Sequence, residues 1–138
     1  KAAQLIAQSA GMDGEKAFVC GLLHDIGRRN GISAMRHAVD GYDYLMSKGW
    51  DEPARICLTH SFPTKNFGCY LGEIDIPAED AERVRNLLAN SAYNDYDRLI
   101  ALCAGYGRRL LYSGKAVGGY DQALRRIPLY GGTLEPYF

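Results

Sequence analysis

Between Ala17 and Ile26 every residue is apolar or small except two that stand side by side, His24 and Asp25, with Gly27 immediately after them. A charge in an oily segment is costly unless it is paired or bound to a metal, so this element must end at a polar pocket. Phe18, Leu22 and Ile26 fall on one line of a helix, and Ala17, Val19, Cys20 and Leu23 fill the rest of its circumference. A helix apolar all round is predicted to lie in the middle of a bundle. His24 and Asp25 then occupy its last turn, about 100° apart around the axis.

The flanking segments repeat the helical period. Ala2, Leu5, Ile6 and Ala10 predict a first helix that ends at Gly11, and Asp13 is the expected cap of the second. After the polar loop Arg28-Arg29-Asn30-Gly31, Ser33 is the expected cap of a third helix running to about Lys48. Its core face would be Met35, Ala38, Val39, Tyr42, Leu45 and Met46, with His37, Gly41 and Tyr44 on the flank. Asp51 and Pro53 open a fourth helix that carries His60 near its end. Pro77 opens a fifth that closes near Asn90, and Asn94 or Asp95 caps a sixth containing Leu99, Ile100, Leu102 and Cys103. Residues 62 to 76 have aromatics without a helical period, as lids often do. No segment alternates with period two, so the expected fold class is all-α, a single-domain bundle of about six helices.

The texture changes after Cys103: seven of the sixteen glycines lie between Gly105 and Gly132, among arginines and tyrosines. That density opposes a stable helix, and only Gln122 to Ile127 reads as a short one. The expected organisation is a helical domain over residues 1–103 and an irregular, Gly-rich tail over 104–138. Because the first residues already carry a helical pattern, the start of the domain is expected upstream of Lys1.

At 138 residues the chain suits one domain with a sizeable core. Sixteen basic and sixteen acidic side chains cancel, so no global field favours a large nucleic acid or a membrane surface. A phosphate would have to be held locally, and Arg28 and Arg29 are the cations beside the doublet. No apolar run is long enough for a membrane span. Four cysteines without a CxxC pair read as reduced thiols, which predicts a cytoplasmic setting.

A His-Asp pair alone is a weak motif; the ordered series of segments around it is more specific. Gly21-Leu22-Leu23-His24-Asp25-Ile26-Gly27-Arg28 resembles the signature of the HD-domain metal-dependent phosphohydrolases. The resemblance continues through His37-Ala38-Val39-Asp40-Gly41-Tyr42, Arg55-Ile56-Cys57-Leu58-Thr59-His60-Ser61 and Tyr96-Asp97-Arg98-Leu99-Ile100, and so spans about residues 1 to 103. It implies a helical bundle in which a divalent metal, drawn from Mn, Fe, Co, Ni, Zn or Mg, activates water against a phosphoester.

Residue by residue, His24 and Asp25 match the metal-binding and catalytic doublet. His37 and His60 match positions that in some branches hold a second metal or a substrate phosphate; with Arg28 they are the expected substrate-binding set. Two ligands that the resemblance implies have no counterpart. One is a histidine that would precede Lys1, and the other is an aspartate after Leu99-Ile100-Ala101-Leu102-Cys103, where Ala104 stands. Asp95 and Asp97 are the nearest carboxylates, expected to cap a helix and to pair at the surface. The expected function is hydrolysis of a nucleotide or other small phosphoester, the alternative a catalytically silent domain that binds a nucleotide or a partner.

Overall fold

A computed structural model describes residues 1–62, 64–70, 72–111, 128–129 and 132–133, with side chains described up to 104. The fold is all-α, with six α-helices among the described residues: α1 (Ala2–Ser9), α2 (Gly14–Leu23), α3 (Arg36–Met46), α4 (Asp51–Thr59), α5 (Ala78–Asn90) and α6 (Asp95–Leu111). The expected tail falls largely outside the described residues, as does the short helix expected at Gln122 to Ile127. Within it, α6 continues eight residues beyond Cys103, through Gly105 and Gly107 to Leu111. Each glycine costs about 1 kcal/mol against alanine, which extension of an established helix can offset. Pro128–Leu129 (β1) and Gly132–Thr133 (β2) form a two-rung antiparallel ladder, too short to make a layer.

Local chemistry explains most boundaries. The Asp13 carboxylate accepts from the Glu15 and Lys16 amides at 2.9 and 3.1 Å and so starts α2. Asn94, rather than Asp95, caps α6, accepting from the Tyr96 amide at 2.9 Å. Ser33 does not cap α3. That helix begins at Arg36, and its free amides are bound from a distance by Asp75, whose carboxylate accepts from Ala34 N and Arg36 N at 2.8 Å each. Gly11 and Gly49 follow α1 and α3 with φ of +73° and +72°, a left-handed turn that costs other residues energy.

Three apolar clusters form the core. Ala7, Cys20 and Leu99 join α1, α2 and α6; Val39, Leu58, Phe62 and Leu88 join α3, α4 and α5; Leu45, Ala54 and Cys57 join α3 and α4. α4 supplies residues to all three clusters, Ile56 to the first, Leu58 to the second and Ala54 and Cys57 to the third, and is therefore the central helix. The expectation that α2 is central is overturned, since Phe18, Val19 and Leu22 are 36%, 44% and 68% exposed. Met46, expected in the core face of α3, is exposed as well.

The loop after α4 is anchored rather than bare. Phe62 is fully buried, worth about 2 kcal/mol of apolar transfer, and stacks with Phe67 and Tyr70 at ring separations of 5.9 and 5.5 Å. Phe67–Cys69 forms a short 3-10 turn. Among the described residues, no helix is long and apolar enough to cross a membrane.

Candidate metal centre

The doublet sits where α2 stops. The helix ends at Leu23, His24 is its C-cap, and Asp25 lies outside it (φ −109°, ψ 18°) before a 3-10 turn over Ile26–Asn30. That turn runs hard against α3, where a Cβ on Gly27 would clash with His37 O and lie 2.7 Å from Gly41 N. A Cβ on Gly41 would in turn stand 3.1 Å from Cys57 Sγ on α4 and 3.2 Å from Gly27 N. Two glycines thus let three backbones close up, and this proximity brings histidines from α3 and α4 to the doublet.

His37 and His60 are both 1% exposed. The Nε2 atom of His37 lies 3.1 Å from Asp25 Oδ1 and that of His60 lies 3.5 Å from the same oxygen, while the two Nε2 atoms are 3.2 Å apart. His24 Nε2 is 3.8 Å from Asp25 Oδ2, and its ring meets that of His60 edge-on with centroids 5.0 Å apart. His24, Asp25 and His60 can each offer a ligand atom within 4.8 Å of the others. The four residues expected at the doublet, on α3 and on α4 therefore meet in one place.

Hydrogen bonding sets the direction of the three rings. Nδ1 of His24 and of His60 each sits 2.7 Å from a backbone oxygen, Gly21 O and Cys57 O, and Nδ1 of His37 faces Ala34 O in the same way. A carbonyl can only accept, so each Nδ1 carries its proton, and a ring that is neutral presents Nε2 as a lone pair. Three Nε2 atoms and a carboxylate then converge, an arrangement that favours positive charge among them, whether a bound cation or protons on the rings. Ser61 Oγ, also buried, lies 3.1 Å from His60 Nε2.

Asp25 carries a further sign. Its Oδ1 atom is buried and faces the Nε2 atoms of His37 and His60. Burial pushes the Asp25 pKa up, but the hydrogen-bonding contact with His37, the nearby His60 and His24 rings and the bond from Arg28 outweigh it and hold the carboxyl well below the usual range. An ionised oxygen, three imidazole nitrogens and backbone acceptors fixing the far side of every ring fit a borderline divalent metal of the Mn to Zn series.

The cluster opens on one side. The His24 and Asp25 side chains are 26% and 37% exposed, against 1% and 2% for His37 and His60, so a ligand reaches the doublet first. Arg28 stands at that mouth, its Nε donating to Asp25 Oδ2 at 2.9 Å and its Nη1 to Ser33 O at 3.1 Å. Arg29 turns away, with its guanidinium 3.7 Å over the Tyr44 ring.

The acidic residues of α6 take no part in the cluster. Asp97 is fully buried rather than paired at the surface. It accepts from Arg55 Nε and Nη2 at 2.9 and 2.8 Å and from the Thr59 hydroxyl at 2.8 Å. Asp95 pairs loosely with Arg98 at 3.4 Å. Ser61 and the Asp97 clamp had no role assigned from sequence. Ser61 could have been found from its position next to His60, whereas nothing local marks Asp97. No family model, curated protein or solved structure matches the chain.

Proposed function

We propose that the chain is a metal-dependent phosphohydrolase acting on a nucleotide or other small phosphoester, with His24, Asp25, His37 and His60 holding the metal. One observation carries this reading: the Nε2 atoms of His37 and His60 lie 3.1 and 3.5 Å from one buried oxygen of the Asp25 carboxylate, and that of His24 lies 3.8 Å from the other. A divalent cation bound there supplies positive charge to a phosphoryl oxygen and lowers the pKa of a water toward neutrality. Asp25, ionised at neutral pH, helps hold the cation and accepts a hydrogen bond from the attacking water. Arg28 meets the phosphate at the mouth. Its pair with Asp25 is exposed and worth about 0–1 kcal/mol, so a phosphate oxygen can draw on the guanidinium at little cost. The four free cysteines suit a cytoplasmic setting.

A second reading is favoured by Ala104, an alanine where the resemblance implies an aspartate: the same cluster binds a nucleotide or a partner without turning it over. Hydrolysis of bis(p-nitrophenyl) phosphate and a nucleotide panel with added Mn²⁺ separates the two. Turnover that vanishes in His24→Ala supports the hydrolase. Nucleotide binding without turnover supports the silent domain, and neither activity nor binding removes both.

A further inference from the structure

The fully buried Asp97 has no access to the metal cluster, yet it grips the helix that delivers one of its histidines. Its carboxylate accepts from Arg55 and from Thr59, which are i and i+4 on one line of α4, and also from the Asn94 amide at 3.0 Å. Burying a carboxylate is favourable only when its lone pairs are well satisfied, and here they are. His60 is the next residue after Thr59. The hydroxyl that ties α4 to α6 and the ring that reaches Asp25 are therefore adjacent in the chain and about 100° apart around the helix.

We infer that the Thr59–Asp97 hydrogen bond is a positioning contact for His60, fixing the roll of α4 so that Nε2 faces Asp25. The inference rests on the proposed metal site for its function and on the geometry of α4 for its cause. The ring nitrogen stands roughly 6 Å from the helix axis, so a roll of about 10° moves it by about 1 Å. A metal ligand tolerates a displacement of roughly 0.5 Å. Core packing resists such a roll by shape alone, whereas the bonds from Arg55 and Thr59 to Asp97, at 2.8 to 2.9 Å, are directional, and that of Thr59 is the one adjacent to His60. His60 Nδ1 is bound to Cys57 O within the same helix end. That bond turns the ring but leaves the helix free to roll.

Asp97→Asn risks the fold by taking the charge away from Arg55, so the test uses Thr59→Val, which deletes only the hydroxyl, and Thr59→Ser, which restores it. Thr59→Ala replaces the valine variant if that fails to fold. Zn²⁺ affinity by calorimetry and the visible spectrum of the Co²⁺-loaded protein read the site, and ¹⁵N shifts of the imidazole nitrogens read the His60 ring with no metal present. Thr59→Val is expected to weaken Zn²⁺ binding by about 10- to 100-fold, change the Co²⁺ spectrum and move the His60 nitrogen shifts, with Thr59→Ser returning all three. Unchanged affinity and His60 shifts in a folded Thr59→Val, or loss that serine does not restore, would overturn the inference. If the wild type takes up no metal, the metal reading falls by itself, and the metal-free shifts still decide whether Thr59 positions the ring.

Discussion

His37 Nε2 and His60 Nε2 face each other at 3.2 Å, although the other nitrogen of each ring already faces a backbone carbonyl. In neutral rings that leaves two lone pairs in contact, with Asp25 Oδ1 3.1 Å from one of them. The relation is unfavourable for two neutral rings and is relieved by positive charge between them, so it bears directly on the proposed metal site.

The approach of those helices depends on Gly27. A methyl there meets His37 O and lies 2.7 Å from Gly41 N, both backbone atoms that cannot rotate away. Gly27→Ala is expected to cost about 2 kcal/mol of stability and to part His37 from Asp25, weakening metal binding along with it. Thermal denaturation and metal titration of the same variant check both effects. A variant of wild-type stability would show that the 3-10 turn can shift freely.

Asp75 makes stability depend on pH. Burial pushes its pKa up, but the amides of Arg36 and Ala34 outweigh this and hold it below the ordinary 3.8. A depressed folded value means that the stabilisation is complete above the unfolded value and is lost as pH falls below about 3.8 through the folded one. Asp75→Ala is therefore expected to lower stability by about 1 kcal/mol at pH 7. The gap should close in strong acid, as followed by urea titration over a pH series. A gap constant down to pH 2 would mean that the carboxylate charge plays no part in the cap.

Legibility from sequence followed distance along the chain. His24 and Asp25 are contiguous in an apolar segment and could be singled out by eye, as could the Asp13 cap, two residues from its target. The centrality of α4 was hidden because its buried face includes Arg55 and Thr59, polar residues whose partner Asp97 is 42 and 38 positions away. By the same token Asp97 read as a surface carboxylate. Asp75 caps a helix 39 residues upstream, and no local pattern announces that. The apolar circumference of α2 was misleading because the described neighbours cover only part of it. His37 and His60 entered through a resemblance between segments, and their meeting with Asp25 depends on the close approach at Gly27 and Gly41.

The thiols should separate by burial. Desolvation pushes Cys57 up to about 12 and Cys20 and Cys103 up to about 11, so little reactive thiolate forms at neutral pH. Cys69, half-buried on the 3-10 turn, is expected to react first with iodoacetamide, as read by peptide mass spectrometry on the folded protein. Early labelling of Cys57 would mean that α3 and α4 open beneath the histidine cluster.

Calorimetric titration of the metal-stripped protein with Zn²⁺ and Mn²⁺ tests the metal centre most directly. Saturable uptake is expected, weakened at least about tenfold by Asp25→Asn and by His60→Ala. Affinity should also fall as pH is lowered, because protons compete for the same Nε2 lone pairs. The absence of saturable uptake, or uptake indifferent to both substitutions in folded protein, would contradict a metal site built from His24, Asp25, His37 and His60.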